Sequence, residues 1–526
     1  MDLIISVFLV YYLPLFVLCF FSIKFFISIT RKPSASSKLR RPPSPPALPV
    51  LGHLHLLRSG LSKSLHSLAT NYGPLIRIQM VSETSVVVSN SAVAKEMLKD
   101  NEMNFVSRPD VSGSSDYNIY KGSSFVFAEY GDYWRFLKKL CMTELLSVSQ
   151  IARFADIRRE EKMKLLENLF RCSEEGKICD LGKELVGLTN NNICRMAMST
   201  RCSGSDNESD KVWNFVKGVE ALTLKFSLGE LLGPYLSKLD LFGYGRKMKE
   251  LLLEFDEFVE KVIVQHELDL KSGNKKGKKK DDMDILLEIC RDENAEIKFT
   301  RRQIKSFLLE LFMAGTDTTS VVLQWAMAEL INHQTIFNKL KEEINGVVGS
   351  KRLVEESDIP NLPYLQAVVK ETLRLHPSAP LIFRRCDKDC KINGYDLLAN
   401  ERIIINLNAI MRDPKCWENP LKFMPERFTE KHKQFDQYHM DLKGQNFSLF
   451  PFGSGRRGCP GASFALSVIH VMVATLVQCF DFKVEGEEKL NMEEGTGFSG
   501  AMVHPLLCFV TNVAQFNPLK SFSPRS

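Results

Sequence analysis

The residues with the clearest chemical potential lie in one short stretch near the C-terminus, FGSGRRGCPG. This stretch fits the pattern F-x-x-G-x-R-x-C-x-G, and its fixed positions are Phe452, Gly455, Arg457, Cys459 and Gly461. Five fixed letters match by chance on the order of 10⁻⁴ times in a chain of this length, at average residue usage. The pattern therefore indicates a functional loop around Cys459 rather than a structural cysteine in a turn.

The residue types of this loop suit a thiolate that binds haem iron. Backbone N–H groups in a tight turn stabilise a thiolate, and Gly455 and Gly461 would let the backbone approach the flat porphyrin. Arg457 can neutralise a haem propionate, and Phe452 can lie against the sulfur side of the ring. A thiolate ligand favours O–O cleavage, so the loop predicts oxygen activation on haem b with Cys459 as the axial ligand.

Chemistry of this kind requires elements that hold the loop and cover the opposite face of the cofactor. Helical periodicity dominates the chain, while short β-branched runs at 75–89 and 402–410 predict strands. We therefore expect one mainly α domain with small β-sheets at 60–526. The clearest helical patterns are 151–170, 246–270 and 301–331.

The N-terminus carries an apolar segment without charge from Leu3 to Phe21, and apolar residues continue beyond Lys24 to Ile29. Roughly twenty apolar residues cross a bilayer as a helix, so we expect a single transmembrane anchor at 3–29. A cleaved signal peptide fits less well, because there is no basic n-region and no small-x-small cleavage site. The basic residues that follow predict a lumenal N-terminus and a cytosolic catalytic domain at the endoplasmic reticulum. They are Arg31, Lys32, Lys38, Arg40 and Arg41.

Residues 30–59 form a basic and proline-rich stretch that includes RPPSPPALPVLG, from Arg41 to Gly52. Successive prolines favour polyproline II and remove backbone donors, so helix and central strand are excluded there. We expect this stretch to be a stiff hinge between the anchor and the catalytic domain.

Composition excludes several other classes of protein. The net charge of +6 over 526 residues is too small to indicate a nucleic-acid partner. The 13 cysteines have neither the spacing of a disulfide scaffold nor that of a zinc finger. This usage predicts free thiols in a reducing compartment.

Three further motifs precede the cysteine loop in the sequence. They are AGTDTT (314–319), ETLRLHP (371–377) and PERF (425–428). With the loop, they resemble the cytochrome P450 family, and the resemblance runs from the proline hinge to the C-terminus. It implies the cytochrome P450 fold and a haem-thiolate monooxygenase that uses O2 and NADPH.

The resemblance assigns Asp317 and Thr318 to proton delivery during oxygen activation, and a carboxylate beside a hydroxyl suits such a relay. We expect Gly315 and the neighbouring hydroxyl groups to weaken the helix and open a groove near the iron. In ETLRLHP, Glu371 and Arg374 lie three residues apart on one helical face. The resemblance adds Arg427 as the third member of a structural triad.

The resemblance also assigns propionate-binding residues. Trp134 and Lys138, on adjacent turns of one predicted helix, match such positions, and Arg385 matches another. Three positions depart from the usual family pattern, since glycine is usual at the first and proline is frequent at the others. These positions are Ser44, Glu129 and Arg384.

The chain contains no dinucleotide fingerprint, flavin motif or iron–sulfur cysteine set, so electrons must come from a separate protein. The resemblance implies a membrane-bound NADPH–cytochrome reductase. Lys138, Lys139 and Arg456 are candidate basic contacts for it, although propionate pairing or plain solvation explains each equally well.

The segments that match the family's substrate pocket are mostly apolar, which favours a large lipophilic substrate held by few hydrogen bonds. A stripe of such residues is also typical of core. The pocket candidates are Leu311, Phe312, Ala314, Ala379, Leu381, Ile382, Phe383, Phe498, Ala501 and Met502.

The stretches WRFLKKLCMTELLS and EESDIPNLPYLQAVVKETLRLHP resemble the plant A-type microsomal branch, near oxidases of flavonoids and triterpenoids. Our first hypothesis for the substrate is a pentacyclic triterpenoid of friedelane type, oxidised at a methyl group, with onward oxidation to a carboxylic acid left open. Flavonoids and strigolactone-type terpenoids are alternatives. Two other classes also stay open: a reductase-independent haem-thiolate isomerase or dehydratase, and a non-catalytic haem sensor or scaffold.

Overall fold

A computed structural model describes the chain from residue 39 to residue 513, with gaps. The predicted anchor at 3–29 and the pocket candidate Phe498 lie outside the described residues. The described ranges are 39–49, 51–57, 60–81, 83–109, 117–201, 215–219, 221–222, 240, 243–272, 279–294, 297–429, 441–487, 489–495 and 499–513.

Helices make up most of the described secondary structure, and the prediction of a mainly α domain with small sheets is confirmed. Short 3₁₀ turns at Glu102–Asn104 and Pro425–Phe428 also hold site residues. The helices are α1 (Leu61–Tyr72), α2 (Ser91–Lys95), α3 (Asp132–Leu140), α4 (Val148–Arg153), α5 (Ala155–Glu175), α6 (Leu181–Met198), α7 (Tyr244–Ser272), α8 (Asp282–Arg291), α9 (Arg301–Asn332), α10 (Gln334–Val347), α11 (Pro363–Leu375), α12 (Leu407–Ile410) and α13 (Ala462–Cys479).

The strands form three small sheets. The largest has the order β1-β2-β7-β4, in which β2 and β7 are parallel and the other neighbours antiparallel. The second has the order β3-β9-β8, and the third pairs β5 with β6. The strands are β1 (Leu75–Met80), β2 (Glu83–Val88), β3 (Ile178–Asp180), β4 (Leu381–Arg385), β5 (Cys390–Ile392), β6 (Tyr395–Leu397), β7 (Arg402–Asn406), β8 (Phe480–Lys483) and β9 (Leu507–Asn512).

Two sequence patterns resolve into shorter elements than predicted. The helical pattern at 151–170 is split between α4 and α5 at Phe154. The run at 402–410 is a strand only to Asn406, whose side-chain oxygen accepts a hydrogen bond from the backbone N–H of Ala409 at 3.1 Å. This N-cap starts α12 and ends the strand.

Helix α9 crosses the centre of the molecule and packs against α6, α11 and α13. It begins at a capping box, in which Thr300 and Gln303 exchange side-chain-to-backbone hydrogen bonds. Among the described residues, α9 and α13 are the helices long and apolar enough to cross a membrane. Two thirds of each apolar window is buried in the protein, which makes them core helices.

The described part of the proline-rich stretch lies along β1. The N–H of Arg77 donates to the carbonyl of Pro43 at 2.8 Å. The buried His53 ring lies 2.8 Å from the carbonyl of Pro45 and accepts from the backbone N–H of Gln79 at 2.7 Å. These contacts fix the path of the chain as it enters the domain.

Candidate active site

The cysteine loop presents Cys459 at the N-terminus of α13. The backbone N–H of Cys459 donates to the carbonyl of Phe452 at 2.9 Å, which closes the loop. The N–H groups of Gly461 and Ala462 hydrogen-bond to the sulfur. The first amides of a helix have no partner within the helix, and its dipole favours an anion there. The loop therefore offers a thiolate site built from backbone donors.

Charge around the sulfur matches this role. Burial raises the pKa of the Cys459 thiol, while the two amides and the charges of Lys138 and Arg108 act to lower it. Cys459 keeps some solvent-accessible surface, although protein atoms fill most of the space around its thiol group. A thiol in this state becomes a thiolate when a metal ion shares the site, and the donor set fits an iron ligand.

Gly455 packs against a side chain from outside the loop. Its φ is 64°, and a Cβ there would lie 2.3 Å from Oε1 of Glu102. That carboxylate accepts a hydrogen bond from the backbone N–H of Arg456 at 2.7 Å and pairs with the Arg456 guanidinium. Gly455 therefore makes room for Glu102, which braces the loop from outside.

Helix α3 is tied to the same loop. The Lys138 ammonium donates to the carbonyl of Gly458 at 2.7 Å, and burial lowers the pKa of this lysine. Trp134 is buried, and the Arg457 guanidinium lies 4.5 Å from the centroid of its ring. Both predicted α3 residues thus contact the loop that carries Cys459.

Three arginines lie close enough to affect one another electrostatically: the buried Arg384 and Arg457 and the half-buried Arg108. Burial, followed by the charge of Arg108, lowers the pKa of Arg457 to about 10. Burial and the other two arginines lower the pKa of Arg384 well below its usual range. Nε of Arg108 is buried and has no hydrogen-bond partner among the described residues. Such an excess of buried positive charge requires an anion, and the two haem propionates fit it.

Arg384, rather than the predicted Arg385, lies in this buried arginine cluster. The two residues are adjacent in β4, so their side chains point to opposite faces of the sheet. Arg385 forms an ion pair with Glu129 at 2.8 Å and contacts Asp387 at 3.2 Å. The two departures Glu129 and Arg384 therefore have structural roles, one as the partner of Arg385 and the other within the arginine cluster.

Asp317 and Thr318 lie on α9. Asp317 is buried, and its Oδ1 accepts a hydrogen bond from the Lys217 ammonium at 2.9 Å. Its Oδ2 is buried without a hydrogen-bond partner among the described residues. The Thr318 hydroxyl donates to the carbonyl of Ala314 at 2.6 Å. The Asp317 carboxylate and the Thr318 hydroxyl are thus adjacent in sequence but bind different partners. Oδ2 of Asp317 is left to accept a hydrogen bond from a water molecule or a substrate.

The expected opening of the helix at this motif is not present, because α9 runs unbroken from Arg301 to Asn332. Gly315 faces α6, where a Cβ would lie 2.7 Å from Cδ1 of Ile193. Its small size therefore serves the close packing of α6 on α9.

The pocket candidates separate into exposed and core positions. Ala314 and Ala379 are exposed, whereas Phe312 is fully buried and packs edge-on against Phe255. Phe312 is therefore core. Ile382 and Phe383 are partly buried and pack against different hydrophobic clusters, on opposite faces of the strand. Leu311 is partly buried and packs against the main core.

The structural triad is brought together as the motifs suggested. Arg374 donates two hydrogen bonds to the Glu371 carboxylate, at 2.7 and 2.8 Å, and Arg427 donates a third at 3.1 Å. The remaining donors of Arg374 reach the carbonyls of Met411 and Pro420. All three side chains are buried, so every charge in the group is paired or hydrogen-bonded.

Sequence reasoning missed Arg108, Glu102 and Lys217. None belongs to a motif, and each meets its partners only through the fold. The run NFVSRP puts Arg108 two residues after the apolar pair Phe105 and Val106, and a charge close to buried positions is a weak sign of a paired cation. No comparable local signal marks Lys217.

Comparisons with known proteins find relatives along almost the whole chain. The family model "Cytochrome P450" matches residues 42–510. "Cytochrome P450 93A3" of Glycine max is 41% identical over 506 residues, covering 95% of this chain and 98% of that protein. "3,9-dihydroxypterocarpan 6A-monooxygenase" of Glycine max is 42% identical over 488 residues, covering 92% and 94%. "Beta-amyrin 24-hydroxylase" of Glycine max is 41% identical over 518 residues, covering 98% of each chain.

The fold is shared with solved structures. A zebra fish cytochrome P450 crystallised with progesterone superposes with a TM-score of 0.72 at 26% sequence identity, covering 86% of this chain and 99% of that one. Members of the family bind haem through a cysteine thiolate, which the loop at Cys459 is built to supply. The chain therefore belongs to the cytochrome P450 family, and it is a haem-thiolate monooxygenase of the plant branch that includes flavonoid and triterpenoid oxidases.

Proposed function

We propose that this monooxygenase oxidises a pentacyclic triterpenoid of friedelane type at a methyl group, and then onward to the carboxylic acid. The observation that carries this choice is the similarity to beta-amyrin 24-hydroxylase, which extends over 98% of both chains. β-Amyrin is itself a pentacyclic triterpene. Two exposed pocket candidates, Ala314 and Ala379, are apolar, which suits a lipophilic substrate.

The haem, when bound, supplies the oxygen-activating chemistry. The chain's part on the thiolate side is to hold Cys459 ionised, with the amides of Gly461 and Ala462 as donors. Arg108, Arg384 and Arg457 would hold the two propionates and orient the ring. Trp134 packs on Arg457 and so keeps its guanidinium in place.

On the α9 side, Asp317 and Thr318 would deliver protons to the pocket. The side chain of Lys217 is 45% exposed, so solvent protons can reach the Lys217–Asp317 pair from outside. The unpartnered Oδ2 of Asp317 can carry a proton, and the Thr318 hydroxyl can pass one inward. The hydrogen bond from Thr318 to the carbonyl of Ala314 fixes the orientation of the hydroxyl before proton transfer.

We further propose that the segment 3–29 anchors the protein in the endoplasmic reticulum membrane, with the domain on the cytosolic side. Electrons then come from an NADPH–cytochrome reductase in the same membrane. Of the predicted basic contacts, Arg456 pairs with Glu102 and Lys138 binds the carbonyl of Gly458. Lys139, which is exposed, is the strongest of the three candidates.

Optical titration of the protein in microsomes tests the substrate. The reduced carbon monoxide spectrum first establishes an intact thiolate ligand. Friedelane and oleanane triterpenoids are then compared with flavanones and pterocarpans, and the shift from low-spin to high-spin iron reports binding. A shift with triterpenoids, followed by a reductase- and NADPH-dependent product, supports the proposal.

The second candidate is a flavonoid-type substrate, favoured by the 42% identity to 3,9-dihydroxypterocarpan 6A-monooxygenase. A shift with pterocarpans or flavanones alone would select it and exclude the triterpenoid. Conversion of substrate without NADPH and reductase would instead indicate an isomerase or dehydratase.

A further inference from the structure

The residues 123–128, here called the 123–128 segment, lead into α3 and are held from two sides. On one side, the Glu310 carboxylate of α9 accepts hydrogen bonds from the Ser124 hydroxyl and from the backbone N–H groups of Phe125 at 2.8 Å and Val126 at 3.2 Å. On the other side, the Arg457 guanidinium donates to the carbonyl of Ala128 at 2.6 Å. The segment thus spans the distance from α9 to the thiolate loop.

The aromatic side chains of the segment form a wall between these two elements. The ring of Phe125 stacks on Trp134, with centroids 5.9 Å apart, and lies 6.4 Å from the ring of Phe307 on α9. Phe127 is half exposed. Ala314, an exposed pocket candidate, lies four residues after Glu310 and therefore on the same face of α9.

Three donors from consecutive residues of a loop converge on one carboxylate, and this arrangement gives Glu310 unusual control over the loop. Removing a single side chain would leave two backbone N–H groups and one hydroxyl without their acceptor. The other contacts of the segment to α9 are apolar, through Phe125 and Phe307. These two aromatic rings can shift relative to one another without breaking a hydrogen bond.

We propose, on the basis of the function proposed for this pocket, that Glu310 is the latch of the substrate entrance. Its carboxyl group holds the 123–128 segment closed over the pocket. Release of its three hydrogen bonds lets the segment move and admits a bulky lipophilic molecule.

The protonation of Glu310 makes the opening of the segment depend on pH. Burial is the largest effect and raises its pKa to about 6, and the hydrogen bonds of the segment and the charge of Arg108 oppose this. The other titratable groups that face it are Tyr133 of α3 and Cys141. With the segment open, water reaches the carboxyl group and its pKa returns towards the ordinary value of 4.5.

The sign follows from linkage. The closed state has the higher pKa, so it binds the proton more tightly than the open state. Closure is therefore most favourable below the ordinary pKa and weakens as the pH rises through about 6. A shift of this size changes the open population on the order of tenfold. Entry should thus be faster at pH 7.5 than at pH 5.5.

Stopped-flow binding of cyclohexyl isocyanide to the reduced holoenzyme tests the latch. This probe is bulky, binds haem iron directly and has no titratable group of its own. We expect its association rate to rise by about fourfold between pH 5.5 and pH 7.5. Carbon monoxide, which is small enough to enter past a closed segment, should show a much smaller change.

Glu310→Gln is the decisive variant, because it preserves the shape of the side chain and removes its titration. We expect the rate for cyclohexyl isocyanide to become independent of pH in this variant. Glu342→Gln, at an exposed position on α10, is the matched control and should behave as wild type. A wild-type rate that is flat in pH, or an unchanged pH dependence in Glu310→Gln, would overturn the proposal.

Two further variants keep the test decisive if Glu310→Gln does not bind haem. Glu310→Asp shortens the reach but keeps the acid, and Ser124→Ala removes one donor. Each should speed isocyanide entry at every pH, and an unchanged rate in both would also overturn the latch. Since the isocyanide is not the substrate, failure of the triterpenoid titration leaves this result standing.

Discussion

On the thiolate side, the sulfur is held by bonds from its own loop: the N–H of Cys459 to Phe452, and the amides of Gly461 and Ala462 to the sulfur. On the α9 side, the two carboxylates depend on partners that are distant in the sequence. Asp317 depends on Lys217, and Glu310 depends on the 123–128 segment. The sulfur itself is thus held by backbone bonds within its own loop, whereas the acids of α9 are held by contacts that the fold brings together.

The two sides of the site should differ in their tolerance of substitutions. Backbone bonds survive most substitutions, so the cysteine loop can stay the same while other residues change. Side-chain contacts on the α9 side change with a single substitution and leave the iron ligand intact. Such a division suits a family in which similar chains carry names as different as pterocarpan monooxygenase and β-amyrin hydroxylase.

The largest expected effect comes from Cys459→Ser. A serine can still accept the amides of Gly461 and Ala462, so the loop should fold, but it cannot supply a thiolate. We expect the reduced carbon monoxide complex to lose its thiolate spectrum and oxygenation to fall on the order of 10³-fold or more. Cys290→Ser is the control, since this thiol lies in α8, outside the loop. A retained thiolate spectrum in Cys459→Ser would assign the ligand elsewhere.

Next in size is Glu371→Gln, which tests the support beneath the thiolate side. The substitution leaves the buried guanidinium groups of Arg374 and Arg427 without a counter-charge. Breaking a buried pair of this type costs about 3–5 kcal/mol of unfolding free energy. Thermal and denaturant unfolding of the holoenzyme would measure it. A loss within about 0.5 kcal/mol, as expected for the exposed Glu342→Gln, would contradict the role of the triad.

Much of the thiolate side could be predicted from the sequence, because its chemistry lies in consecutive residues. The mainly helical architecture followed from periodicity for the same reason, as did the presence of strands at 75–89. The face of a strand or helix on which a given side chain lies was harder to predict. Arg384 and Arg385 differ by one position, and in a strand one position exchanges the buried face for the other. Phe312 carries no local sign that it packs on Phe255 rather than lining the pocket.

The α9 side was only partly predictable. AGTDTT identified Asp317 and Thr318, but the partner Lys217 and the latch Glu310 could not be recognised. Both make contacts that join segments far apart in sequence, and no spacing rule connects them. Gly315 was interpreted as a weak point in the helix, because a glycine looks the same whether it breaks a helix or admits a neighbour.

Arg384→Ala and Arg385→Ala form a matched pair at the junction of the two sides. Arg384 belongs to the buried cluster, so its loss should speed haem release to a scavenger such as apomyoglobin by about tenfold, equivalent to about 1.4 kcal/mol. Arg385 pairs with the exposed Glu129, so its loss should change the rate by less than about twofold. The reverse order would restore the assignment of Arg385 to the propionates.

The smallest expected effect is that of Lys217→Met, which addresses the α9 side alone. The side chain of Lys217 is 45% exposed, and an ion pair of this exposure contributes about 0.2–1 kcal/mol. Its loss should lower the share of NADPH electrons that reach product by about twofold to fivefold, with more hydrogen peroxide released and a changed solvent isotope effect.

Lys217→Arg should keep the wild-type ratio of product to peroxide, because the charge is retained, and Asp317→Asn should lower it further than Lys217→Met does. The thiolate spectrum should be the same in all three variants, since no bond on the thiolate side involves these residues. If Lys217→Met leaves the ratio unchanged while Asp317→Asn lowers it, protons reach Asp317 without Lys217. The contrast between the two sides would then rest on Glu310 and its hold on the 123–128 segment.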